Sequence, residues 1–292
     1  MIFTKPTRSN LTFWFSLSLA FAAFYGVLVL QQAFSSDYVV QDDARQHIFW
    51  MRRFLDPTLF PKDLIADYFQ SVAPGGYTTF YRLFALLGLD PMGVAKFVPI
   101  VLGLVTAAYS FGLGLQLLPI PLAGFLTSLL IQQVIWTHDD VASATPRAFL
   151  APLFVAFLYY LSKRQLLPCL VTIVLQGLFY PQYVFVMAGM VLFQLVQWEQ
   201  GKLHILRSRQ DYWFSGILVV AAIGVMLPYA LDASVYGPTI TAAEARTLPE
   251  FNPGGRSHFF NPDLWKFWIT GGRSGLFPYF EPKLMAIGIL LP

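Results

Sequence analysis

Residues 11–34 run for 24 positions without a charged side chain. A helix of about 20 apolar residues crosses the ~30 Å hydrocarbon core of a bilayer. Backbone polar groups in lipid must be satisfied within the segment itself, so such a run has few other ways to fold. It is too long for a secretory signal core, which spans about 7–15 residues. The AFSSD stretch at its end is a poor cleavage site, so the run reads as a retained anchor. Composition agrees: 56% of the 292 residues are hydrophobic and 12% charged, against about 25% charged in soluble domains. The one cysteine, Cys169, lies in an apolar run and has no intrachain partner, so it reads as a small buried residue. No dense basic patch or known module supports a nucleic-acid partner.

Four further runs, 96–118, 121–137, 146–162 and 213–231, read as spans. Residues 166–198 would measure about 50 Å as one helix, too long for one crossing. Pro181, in FYPQY, offers a break, and the segment reads as a hairpin of two short helices. Residues 75–89 are short and contain Arg82, so they read as interfacial or re-entrant. Residues 283–292 read as an incomplete span, in a fragment of a longer chain or as an interfacial stub. The positive-inside rule supports this layout, because it places Lys5, Arg8, Lys163, Arg164, Lys202, Arg207 and Arg209 on the cytoplasmic side. The expected fold is all-α: one polytopic transmembrane bundle over residues 1–292, with outer loops 35–95 and 232–282. The expected location is the plasma (inner) membrane, with a cytoplasmic N-terminus and a site on the outer, periplasmic side.

The first outer loop carries surface helices. DDARQHIFWMRRFLD reads as a helix with Asp42 and Asp43 in its first turn, where carboxylates complement the helix dipole. Ile48, Met51 and Leu55 form an apolar stripe at helical spacing, suited to lying on the bilayer or on the bundle. PKDLIADYFQ reads as a second helix, with Pro61 at its first position.

Two acidic pairs fall on the same expected side. Asp42 and Asp43 are either favourable helix-start charges or a base, metal or phosphate site just beyond the first span. In THDDVASATPRAF, Ser143 or Thr145 as N-cap with Pro146 accounts for SATP, but not for His138, Asp139 and Asp140. Carboxylates and imidazole suit a divalent cation, magnesium or manganese. Arg147 either snorkels to the interface or contacts a phosphate beside the helix start. Arg45 does the same or pairs with Asp42. GGRS occurs twice, at residues 254–257 and 271–274, and FNP twice, at 251–253 and 260–262; both read as turn chemistry. No Walker A sequence, dinucleotide fingerprint, GxSxG or HExxH is present.

The layout of QDDARQHIFWMRRFLDPTLFPKDLIADYF and THDDVASATPRAF resembles the GT-C class of polytopic membrane glycosyltransferases, over roughly residues 10–230. The resemblance implies a polyprenyl-phosphate-linked sugar donor reacting at the outer face. It implies that Asp42 or Asp43 deprotonates the acceptor hydroxyl or binds a metal. It assigns His138, Asp139, Asp140 and Arg147 to the metal or the donor phosphate. Members are generally longer than this chain. Two other readings stay open: a lipid or solute transporter, and a non-catalytic membrane subunit or assembly factor with a protein partner.

Overall fold

The structure is a computed structural model that describes residues 7–36, 38–137, 141–199, 201–205, 208–231, 236, 240–252, 254–255 and 262–270. The expected span at 283–292 and the second GGRS lie outside the described residues. The chain divides into two compact units, Met1–Asp232 and Ala233–Pro292.

The first unit is a helix bundle. Three of its helices are long and apolar enough to cross a membrane: α1 (Arg8–Ala33), α5 (Pro91–Leu117) and α10 (Arg209–Leu231). Short helices α2 (Asp42–His47), α3 (Leu64–Val72) and α4 (Gly75–Leu86) lie between α1 and α5. Helix α5 begins at Pro91, earlier than hydropathy alone suggests, because Asp90 stands at the N-cap and proline suits the first turn. Shorter apolar helices complete the unit: α6 (Pro121–Thr137), α7 (Leu150–Ser162), α8 (Leu166–Phe179) and α9 (Val184–Phe193). At 1.5 Å per residue, α8 and α9 reach only about 21 and 15 Å, less than the bilayer core.

Helix α5 is central and packs on α1, α6 and α7, while α10 packs on α8 and α9. Small residues bring the helices close, as expected where lipid gives no hydrophobic drive to pack. A side chain at Gly103 would collide with Trp136 at 2.7 Å. Gln132 seals the same α5–α6 contact: its Nε2 donates to the Gly103 carbonyl (2.9 Å) and its Oε1 accepts from Trp136 Nε1 (2.7 Å). This buried amide is satisfied, so it links the helices without leaving a polar group stranded in apolar surroundings.

The chain reverses at Tyr180 and a 3-10 turn, Pro181–Tyr183. Arg164 pairs with Asp211 near the start of α10, and Gly177 meets Val225 near its end. Ser215 Oγ then donates to the Val191 carbonyl (3.4 Å), back toward the start. Helix α8 therefore runs parallel to α10 and α9 antiparallel to it. Residues 196–198, expected to end a helix, instead open an antiparallel hairpin of β1 (Val196–Glu199) and β2 (Lys202–Ile205). Gly201, at φ 77°, supplies the left-handed turn residue between them.

The bundle thus has two unlike ends. One carries the turn between α5 and α6, residues 163–165 and the β-hairpin. The other is roofed by α2–α4, with residues 141–149 tucked beneath. A large buried cluster lies under the roof, containing Ile48, Trp50, Met51, Tyr77, Tyr81, Val141 and Phe149.

The roof differs locally from the sequence expectation. After His47 the helix tightens into a 3-10 turn, Phe49–Phe54. At three residues per turn, Ile48, Met51 and Phe54 share a face. Ile48 and Met51 are buried and Leu55 is 42% exposed, so the expected stripe ends one residue early. Helix α3 starts at Leu64, not at Pro61, because the Asp63 carboxylate accepts from the amides of Ile65 (2.9 Å) and Ala66 (3.1 Å).

In the second unit, α11 (Ala242–Ala245) is a single turn closed by a capping box between Thr241 and Glu244. A 3-10 turn at Pro249–Phe251 and a π turn at Lys266–Thr270 follow. Gly254, in the first GGRS, has φ 100°, as a turn residue requires.

Candidate functional site

A cavity of about 290 Å³ lies at the roofed end, close to the lower bound of ~300 Å³ for small-molecule sites. Helix α1 contributes Val29, Gln32 and Ala33, and α5 contributes Met92, Ala95 and Lys96. Gln41, Asp42 and Ala44 come from the start of α2, and Ala142 and Ser143 from the junction before α7. The cavity therefore joins the first loop to the THDDVASATPRAF segment, two stretches about a hundred residues apart in sequence.

The start of α2 places its side chains by simple capping. Gln41 Oε1 accepts from the Ala44 amide (3.1 Å), which fixes the first turn and leaves the Gln41 NH2 unused among the described residues. Asp42 then lines the cavity, and among the described residues its carboxylate has no hydrogen-bond or ion-pair partner. Asp42 and Asp43 are both exposed, but Asp43 does not line the cavity. It acts on His47, one helical turn on: burial lowers the His47 pKa, and the Asp43 charge opposes that more weakly. The His47 ring stands edge-on to Phe69, 4.9 Å between centroids.

Lys96 is the cation of the site. Its Nζ donates to the Ala33 carbonyl at the end of α1 (2.7 Å) and sits 4.5 Å from the centre of the Phe34 ring. A cation at a helix C-terminus complements the dipole and holds the free carbonyls. Sequence reasoning passed over this lysine. Its signal was a lone ammonium within an apolar span, a costly position.

Arg45 and Arg147, both expected at the site, are exposed and are not among the residues lining the cavity. Arg45 Nε donates to the Val40 carbonyl (3.3 Å). Arg147 lies in the 3-10 turn Pro146–Phe149 that leads into α7. Thr145 occupies the N-cap position there, but its hydroxyl meets Ser143 Oγ (2.9 Å) instead of capping the turn. His138, Asp139 and Asp140 lie outside the described residues, directly before the cavity-lining junction. Among the described residues, no group of three His, Cys, Asp or Glu side chains could hold a metal ion.

The roof is held by two arginines. Arg53 Nη1 donates to Asp67 Oδ1 and Gln70 Oε1 (2.7 Å each), and its Nη2 and Nε donate to the carbonyls of Phe60 (2.6 Å) and Leu59 (3.2 Å). Arg52 makes a two-pronged pair with Asp90 (2.9 and 2.8 Å), tying the roof to the start of α5. That contact holds the Asp90 carboxyl below its usual range. The junction is held from above by Tyr81, whose buried hydroxyl donates to the Ala144 carbonyl (2.9 Å). Ala144 itself is left-handed, at φ 50°.

No protein-family model, curated protein or solved structure matches the chain. The fold defines a mostly helical protein with three membrane-length apolar helices, which points to a multi-pass membrane protein.

Proposed function

We propose that the chain is a membrane glycosyltransferase of the GT-C type, which transfers a sugar from a polyprenyl-phosphate donor to an acceptor hydroxyl at the outer face. The supporting observation is that an unengaged carboxylate, Asp42, and an ammonium, Lys96, line one cavity at the end of membrane-length helices. In this reading the roofed end is external, with Lys163, Arg164, Lys202 and Arg209 at the opposite, cytoplasmic end.

In the reaction, the acceptor oxygen bonds to the anomeric carbon as the bond from that carbon to the phosphate oxygen breaks. The acceptor proton passes to Asp42, and the lipid phosphate leaves with the bonding electron pair. Negative charge grows on that phosphate in an oxocarbenium-like transition state, so a fixed cation lowers the barrier. Lys96 lines the cavity and takes this part, while Arg147 does not line it.

The test is sugar transfer in membrane vesicles supplied with a panel of polyprenyl-phosphate sugars. General-base catalysis contributes about 10²–10⁴-fold. Asp42→Asn should lose activity on that scale at unchanged protein level, while Asp43→Asn retains most of it. Wild-type rates in Asp42→Asn would remove the base assignment. Movement of the lipid across the vesicle without a sugar product would favour transport.

A further inference from the structure

At the end of the bundle away from the roof, a shallow, open cleft runs along one face of α10, lined by Arg209, Tyr212, Trp213, Gly216, Ile217 and Val220. These positions recur every three to four residues, so they share one side of the helix. The opposite side packs inward through Ser215, Leu218 and Ala222.

The floor of the cleft is Gly216. Some glycines of the bundle admit a neighbouring helix: a side chain at Gly103 or Gly177 would meet packed atoms at 2.7 Å or less. At Gly216 an added Cβ would meet nothing within 4 Å. Helix packing therefore does not account for a glycine that costs a helix about 1 kcal/mol relative to alanine. Gly224 on the same helix and Gly189 on α9 are equally uncrowded but line no cavity.

The cleft is polarised along its length. Arg209 stands at the head, Tyr212 and Trp213 follow, and Ile217 and Val220 are purely apolar. From Arg209 to Val220 the helix rises about 17 Å. Among the described residues, Arg209 has no hydrogen-bond or ion-pair partner. The nearest carboxylate along the chain, Asp211, is engaged by Arg164. Lys163 and Lys202 add positive charge at the same end.

We infer that this cleft binds one anionic phospholipid, with its phosphate on Arg209, its glycerol beside Tyr212 and Trp213, and an acyl chain over Gly216. A cation at the head, amphipathic aromatics at the headgroup boundary and an apolar channel follow the polarity of such a lipid in the same order. This site is independent of the cavity under the roof.

The experiment is native mass spectrometry of the full chain in detergent, titrated with phosphatidylglycerol or phosphatidylcholine of matched chain length. The wild type should retain one phosphatidylglycerol in preference to phosphatidylcholine. Arg209→Gln should weaken phosphatidylglycerol retention about fivefold, the effect of one basic residue at an anionic surface. Gly216→Leu should block retention of either lipid while leaving the thermal unfolding midpoint in detergent unchanged. The inference is overturned if the wild type shows no preference, if both variants retain phosphatidylglycerol like the wild type, or if a second copy of the chain takes the place of the lipid.

Discussion

The two ends of the bundle are built on opposite plans. At the roofed end, some sixty residues between α1 and α5 fold into three short helices over the bundle, around buried Trp50, Tyr77 and Tyr81. At the other end the connections are brief, the only sheet among the described residues is a two-stranded hairpin, and Lys163, Arg164, Lys202 and Arg209 are exposed. Connecting all these helices needs only short turns. The cavity lined by Asp42 and Lys96 lies at the end that carries this extra chain. The open end is suited to contact with lipid headgroups.

The contrast can be broken at its arginines. Arg53 has a side chain only 17% exposed and makes four hydrogen bonds, two that tie α3 to the 3-10 turn and two to carbonyls of the loop before α3. Arg53→Ala should destabilise the roof by roughly 2–3 kcal/mol, because it leaves acceptors without their charged donor. Limited proteolysis between residues 55 and 75 and the thermal unfolding midpoint would report it. Arg164 at the open end is half exposed but pairs with Asp211, whose side chain is 13% exposed, so Arg164→Ala should cost about 1–2 kcal/mol, less than loss of the four bonds of Arg53. Equal losses at the two sites would end the distinction between a built roof and a solvated end.

A smaller effect is expected at Tyr81. Tyr81→Phe removes the bond to the Ala144 carbonyl and should cost about 1 kcal/mol. If the roof positions the junction, the same variant should lower transfer while Asp42 is intact. Normal transfer with reduced stability would mean that the bond only supports the fold.

The smallest effect is a pH dependence from His47. Burial sets its folded pKa below the ordinary 6.5, so the fold favours the neutral ring. That contribution is fully present above about pH 6.5 and is lost as pH falls through the lowered folded value. Unfolding midpoints at pH 8 and pH 5 should therefore diverge in the wild type and converge in His47→Gln. An unchanged divergence in the variant would place the sensitivity in another group.

Much of the bundle was legible in the sequence. Lipid exposure demands long uncharged runs, and residues 11–34 and 213–231 announce α1 and α10 without reference to any partner. Pro181 marked the break between α8 and α9 because proline removes a helix donor. The roof was less legible. Whether residues 48–55 bury Leu55 depends on a change from α to 3-10 winding, which the apolar stripe alone does not encode. The start of α3 turned on competition between Pro61 and Asp63, settled by two hydrogen bonds to the Asp63 carboxylate.

The site divides the same way. The sequence by itself determined that this chain is built from apolar, membrane-length helices and that acidic residues follow the first of them, since hydropathy and charge are local properties. Only the tertiary structure decided that Asp42 lines the cavity while Asp43 turns to His47, and that Lys96, not Arg45 or Arg147, shares it. Adjacent residues on a helix point about 100° apart, so the orientation of α2 on the bundle separates two aspartates that the sequence cannot tell apart.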